Sequence, residues 1–235
     1  MTPCPGDIHV LSAGALRTGL RLCVAAYAQS TGDACHIEFA TAPGIEKCLG
    51  DGGSAYDIVV APQCAFAKGP VAAACMRETS IPLGSIAVGV AVRHGSDAPN
   101  LCSPDTVRAA LRRADPVIYN RASSGTYIET MIETLGLSNE LAERTVRPET
   151  GRAVMEELVS AVSSRALAFG QVTEIKRLEH LGLRLVGPLP DGLANKTAYG
   201  AARTRTSRPP AGAKRLMQFL QSAEARSLLK QSGLE

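Results

Sequence analysis

The strongest constraint on the fold is an alternation of short apolar runs with helix-period stretches in the first third of the chain. Ile8-His9-Val10-Leu11, His36-Ile37-Glu38-Phe39 and Tyr56-Asp57-Ile58-Val59-Val60 read as strands. Between the first two, Leu16, Leu20, Cys23, Val24 and Tyr27 recur at helical spacing, from an opening at Ser12-Ala13-Gly14 to a stop at Gly32. Thr41-Ala42-Pro43-Gly44 leads into a second, short helix through Cys48. Strands separated by whole helices cannot close as hairpins. They pair in parallel, with the helices covering the sheet.

The middle of the chain repeats the pattern. Residues 86–92 form a long apolar strand of small side chains. Ser103-Pro104-Asp105 is a helix start, with Ser as cap and Pro in the first turn, and that helix runs to Arg113. Residues 116–119 and 166–169 read as strands. Ser123-Ser124-Gly125 opens a helix to Leu135, Thr150-Gly151 opens one through Val162, and Thr173 caps one to about Glu179. Residues 183–186 and 197–200 are two more strands, and helices at 211–221 and 223–231 finish the chain after a polar loop at 203–210. This is a second α/β unit.

Composition excludes several function classes. The chain has 235 residues, 45% of them hydrophobic and 20% charged, enough for full-sized cores and unlike a disordered chain. The formal charge is only +3, there is no Trp, and Arg203, Arg205 and Arg208 make the one tight basic cluster, read as a solvated loop. Nucleic acid is therefore not an expected partner. Apolar runs are too short and too broken by charge to cross a membrane. The start Met1-Thr2-Pro3-Cys4-Pro5-Gly6 lacks the basic and apolar regions of an export signal, so the expectation is a cytoplasmic protein, or a periplasmic one whose signal has been removed. The seven cysteines (Cys4, Cys23, Cys35, Cys48, Cys64, Cys75 and Cys102) include no CxxC pair and no His at zinc spacing. They are expected to be reduced and mostly buried, with no metal and no cofactor.

Ligands of open α/β sheets sit beyond the carboxyl ends of the strands, where helix N-termini present unpaired N–H groups. Four junctions here carry small or hydroxyl residues: Ser12-Ala13-Gly14, Thr41-Ala42-Pro43-Gly44, Ser123-Ser124-Gly125-Thr126 and Thr150-Gly151. Small side chains let an anion approach the backbone. Arg121 and Arg152 flank two of the junctions, and a guanidinium grips a carboxylate with two parallel hydrogen bonds. Gln171 follows the strand at 166–169 and is a candidate donor or a plain loop residue. Glu149 and Glu174 are candidate bases or solvated side chains. The motifs GxGxxG, GxSxG and HExxH and the phosphate loop are absent. Gly52-Gly53-Ser54 precedes a strand and reads as a turn.

These pieces, taken in order, resemble the molybdate-binding, ModA-like substrate-binding proteins of ABC transporters over nearly the whole chain. The likeness rests on Val10-Leu11-Ser12-Ala13-Gly14-Ala15-Leu16, Phe39-Ala40-Thr41-Ala42, Tyr56-Asp57-Ile58-Val59-Val60-Ala61, Ser123-Ser124-Gly125-Thr126-Tyr127 and the ending Met217-Gln218-Phe219-Leu220-Gln221-Ser222-Ala223-Glu224-Ala225. The resemblance implies a two-lobed, periplasmic-binding-protein-like type II α/β fold, each lobe a mixed sheet flanked by helices, with a ligand cleft between them. Lobe one would be 1–83 and 203–235. Lobe two would be 84–202, including crossing strands near 84–92 and 183–202. The expected ligand is a small anion held by Ser12, Ala13, Gly14, Ala15, Thr41, Ala42, Pro43, Arg121, Ser123, Ser124, Gly125, Arg152 and Gln171, and a transporter permease is a partner if the protein is exported. The family's binding hydroxyls align with Ala15, with Thr41-Ala42-Pro43 and, for its lobe-two Tyr, with Gln171. Those departures argue against molybdate itself; the expected anion is an oxyanion or a small carboxylate, and the extra Arg and Ser near the implied cleft suit a carboxylate better. An isomerase of aconitate resembles the same family, so the alternative is a proton-moving isomerase or tautomerase of an unsaturated carboxylate.

Overall fold

The computed structural model describes residues 7–50, 56–207 and 210–235, with Ser123 and Pro210 described by their backbone alone. The readings made for Cys4, Gly52-Gly53-Ser54 and Arg208 lie outside the described residues. The chain forms two compact units, one of residues 1–86 with 198–235 and one of residues 87–197.

The first unit begins β1 (Ile8–Ala13), a single 3-10 turn at Gly14–Leu16, α1 (Arg17–Thr31), β2 (Cys35–Ala40), α2 (Ala42–Gly50), β3 (Ile58–Pro62), α3 (Gly69–Ala74) and the start of β4 (Ile81–Arg93). Its strand order is β2-β1-β3. β1 pairs in parallel with both neighbours, placing Ala13 opposite Ala40 and Ser12 opposite Val60. All five side chains of β3 are buried, as are Ile8, Val10 and Leu11 of β1, which is why these runs read apolar. Helix α1 buries Leu20, Cys23, Val24 and Tyr27, the face that its spacing predicts. It opens at Arg17, not at Ser12, because Ser12 and Ala13 complete β1 and the tight turn takes up Gly14–Leu16. Helix α3, rich in alanine and opened by Gly69-Pro70, was not expected from the sequence.

The second unit continues β4 and adds α4 (Pro104–Arg113), β5 (Val117–Ile118), α5 (Ser123–Thr134), α6 (Ser138–Leu141), β6 (Thr145–Val146), α7 (Gly151–Ser160), β7 (Leu167–Gln171), α8 (Val172–Leu178) and β8 (Leu183–Pro188). Its strand order is β8-β4-β7-β5-β6, with β4 antiparallel to β7 and β8. β5 pairs in parallel with β6 and β7. The Ser103 start is a full capping box, its hydroxyl accepting from the Thr106 N–H while the Thr106 side chain accepts from the Ser103 N–H. Three boundaries are corrected. The strand expected at 116–119 is only Val117–Ile118. Helix α7 stops at Ser160, and Val162 beyond it is 98% exposed. β7 runs two residues past Phe169, so Gln171 rather than Thr173 precedes α8.

The chain ends with β9 (Lys196–Arg203), antiparallel to β3, then α9 (Pro210–Leu220) and α10 (Ala223–Gln231). Arg203 was expected in a solvated loop but is the last residue of β9 and half-buried, its N–H donating to Thr79 Oγ1. A three-residue network fastens α1 to α9: the Tyr27 hydroxyl donates to Asp33, and Arg215 forks onto the same carboxylate at 2.8 and 3.0 Å. Cys23, Cys35, Cys48, Cys64, Cys75 and Cys102 carry free thiols. Cys23 and Cys75 are buried, but Cys64 and Cys102 are exposed, which corrects the expectation that the thiols are mostly hidden. No described helix is long and apolar enough to cross a membrane.

Candidate functional site

In the first unit the parallel register gathers the carboxyl ends of β1, β2 and β3 on one side. Ser12, Ala13, Gly14 and Ala15 thus stand beside Thr41, Ala42 and Pro43. Ser12 is fully buried, and its hydroxyl donates to the Ala13 carbonyl at 3.1 Å. Thr41 opens α2: its hydroxyl accepts from the Gly44 N–H at 3.2 Å, and its carbonyl accepts from Ile45. Pro43 lies exposed in the first turn. Sequence reasoning missed Arg17. From the first turn of α1 its guanidinium lies 4.2 Å over the Phe39 ring, next to the end of β2. The signal was a basic residue directly after the apolar pair Ala15-Leu16, at the start of α1.

The second unit gathers the ends of β5, β6 and β7 in the same way. Asn120, two residues past β5, organises this end. It is 6% exposed, and its side-chain carbonyl accepts from the Ala122 N–H at 3.0 Å, the Gly125 N–H at 3.1 Å and the Ser124 hydroxyl at 3.3 Å. Ser124 is thereby turned inward. Gly125 is required for contact: a Cβ there would stand 1.7 Å from the Asn120 backbone oxygen. Asn120 was not singled out from the sequence, though an Asn between an apolar run and a helix is a capping signal.

The two arginines are already partnered. Arg121 donates from Nε to the Arg147 carbonyl at 3.0 Å and pairs with Glu149 at 3.1 Å, tying the loop after β5 to the loop after β6. Arg152 pairs with Glu156 at 2.7 Å, one turn along α7, and both are exposed. Thr150 caps α7, its hydroxyl accepting from the Ala153 N–H at 3.1 Å. The Glu174 carboxylate lies against Gly151, where a Cβ would meet its oxygen at 1.9 Å, and it is 3.8 Å from Arg177. The N-terminus of α7 therefore faces an anion supplied by the chain itself.

Gln171 is different. It ends β7 and is 5% exposed, its amide N–H donates to the Thr197 hydroxyl at 3.2 Å, and its carbonyl oxygen is buried with no partner. Leaving a buried polar atom unpaired costs about 1–3 kcal/mol, so such an atom at a strand's carboxyl end marks a place where a partner belongs. Among the described residues no cluster of His, Cys, Asp and Glu has the geometry to hold a metal. Burial pushes the Cys23, Cys35 and Cys75 thiols up to about 12, so none of the three is a ready nucleophile.

Residues 8–235 match the family model described as bacterial extracellular solute-binding protein. The chain belongs to that family. Its fold is shared with the periplasmic molybdate-binding protein of Azotobacter vinelandii (TM-score 0.76, 16% identity, 97% of this chain and 99% of that one). It is shared as well with the sulfate-binding protein SubI of Mycobacterium tuberculosis H37Rv (TM-score 0.74, 17% identity, 97% and 86%). In sequence the chain is 27% identical over 242 residues to an aconitate isomerase from a Pseudomonas species, across 97% of this chain and 87% of that one. The solute-binding family assignment agrees with the resemblance read from the motifs, and the shared fold agrees with the α/β periplasmic-binding-protein class that it implied.

Proposed function

We propose that this solute-binding protein takes a small carboxylate, with hydrogen-bond donors at the carboxyl ends of its strands. In the first unit the donors are backbone N–H groups at Gly14 and Thr41–Ala42. In the second they are the Gln171 amide and the loop organised by Asn120. Gln171 is the observation that carries the reading. Its buried, incompletely bonded amide supplies a neutral hydrogen-bonding group where a ligand is expected. Arg121 and Arg152 bring positive charge already balanced by Glu149 and Glu156, so they tune attraction rather than grip the ligand. A carboxylate is favoured over a tetrahedral oxyanion because 27% identity links the chain to a protein named for a tricarboxylate. Calorimetry tests this. Gln171→Leu is expected to weaken carboxylate binding about tenfold, and Arg112→Ala, exposed on α4, to leave it unchanged. Equal effects of the two would contradict the assignment.

The same 27% relative favours a second reading, an isomerase that shifts a double bond by removing a proton from one carbon and returning it to another. Glu174 is the candidate base, since its side chain is largely buried beside Gly151. Proton NMR of trans-aconitate incubated with the protein separates the readings. Unchanged signals count against isomerisation and leave binding to the calorimetry, and appearance of the cis isomer, lost in Glu174→Gln, supports catalysis.

A further inference from the structure

We infer that Thr197 is a positioning residue: it turns the Gln171 amide so that the –NH2 group, not the carbonyl, meets the ligand. The inference rests on the carboxylate reading and specifies how its polar end is recognised. Both residues belong to the second unit, with Gln171 at the end of β7 and Thr197 in β9. As described, the amide spends an N–H on Thr197 Oγ1 at 3.2 Å and leaves its carbonyl oxygen buried and unpaired. That orientation commits one of the two N–H donors to Thr197 and leaves the unpaired oxygen useless to an anion, because a carboxylate accepts hydrogen bonds and has none to give. A hydroxyl, unlike an ammonium or a carbonyl, both donates and accepts. Thr197 can therefore hold either end of the amide. Rotating the amide by half a turn lets Oε1 accept the Thr197 O–H and puts the –NH2 group where the unpaired oxygen now lies.

In the bound state each polar atom then has a partner: Oε1 has the Thr197 hydroxyl, and the –NH2 has a carboxylate oxygen. Without ligand, one end of the amide stays unpaired. The pair is neutral, so it recognises a carboxylate by hydrogen bonding and adds no charge to this end of the site. A valine at 197 matches threonine in shape but can hold neither end. The rotated amide would then bury an unpaired oxygen in the complex, and the ligand would be held about tenfold less tightly or worse. Serine keeps the hydroxyl and should bind as the parent does.

The test is a double-mutant cycle on the affinity for trans-aconitate and tricarballylate, read by calorimetry, with thermal melts of each unliganded variant. Thr197→Val should weaken binding about tenfold, and Thr197→Ser should not. In a Gln171→Met background, Thr197→Val should have no further effect on affinity. A purely structural role for Thr197 would instead lower the melting temperature and weaken binding equally in both backgrounds, and that result would overturn the inference. Gln171→Glu fixes the donor sense. Its ionised side chain only accepts, so carboxylate binding should be lost at neutral pH and return as the pH falls and the new carboxyl gains a proton. Undiminished binding by Gln171→Glu at neutral pH would mean that the ligand takes no N–H from position 171, and would overturn the inference. If neither tricarboxylate, nor citrate, nor succinate binds the parent protein, the carboxylate reading fails and takes this inference with it. Binding with no sensitivity to Thr197 removes this inference alone.

Discussion

Single atoms decide most of what happens at the second unit's strand ends. Gly125 and Gly151 are held by contact, not by turn geometry: one lies against the Asn120 backbone, the other against the Glu174 carboxylate. Gly125→Ala is expected to cost about 3 kcal/mol, the upper end of overpacking penalties, because backbone cannot move aside as a side chain can. Urea unfolding of the variant checks this, and a loss below about 1 kcal/mol would contradict the contact. Thiol chemistry follows exposure. An alkylating reagent should label Cys64 and Cys102 in the native protein, and Cys23 and Cys75 only on unfolding. Asp33 sets one limb of the pH profile. Hydrogen bonds from Tyr27 and then Arg215 hold its carboxyl below the ordinary value of 3.8. A depressed carboxyl stabilises the fold fully above the unfolded value and loses that contribution as pH falls through the folded one. Asp33→Asn should therefore flatten the stability profile below about pH 4, as read by melts across pH, and leave its shape near neutrality unaltered.

At the scale of elements, the sequence was legible wherever burial imposed a period. β1 and β3 read as apolar runs because both faces of a covered sheet must be apolar, β2 reads as an alternation because its side chains are alternately half-buried and exposed, and the buried face of α1 follows from spacing. Short elements were not legible. β5 and β6 have two residues each, too few to show alternation, and the strand expected at 116–119 shrank because Tyr119 and Asn120 already belong to the turn into α5. The cap at Ser103 was readable since its chemistry is local. The role of Asn120 was less so, because it needs the partners Ala122, Ser124 and Gly125 to be folded around it. Caps give a direct test: Thr150→Ala should destabilise the protein by about 1 kcal/mol in chemical denaturation, through loss of the bond from the Ala153 N–H.

For the whole molecule, family and fold could be read from the order of weak motifs, while the site could be read only as a set of junctions. Sequence marks where helices start after strands. It does not show which polar groups those starts have already satisfied from within. Ser124, Arg121, Arg152 and the N-terminus of α7 all have internal partners, whereas Gln171 keeps a buried atom without one. Pairings between residues far apart in sequence, such as Gln171 with Thr197 and Gly151 with Glu174, leave no local pattern to read. The central claim, that this solute-binding protein takes a small carboxylate, is tested most directly by thermal melts with trans-aconitate, tricarballylate, citrate, succinate, molybdate and sulfate at rising concentration. A ligand that binds only the native state raises the melting temperature in proportion to the logarithm of its concentration over Kd. The expected result is a saturable family of upward shifts for one or more carboxylates and none for molybdate or sulfate; shifts with molybdate or sulfate and none with any carboxylate would contradict the account.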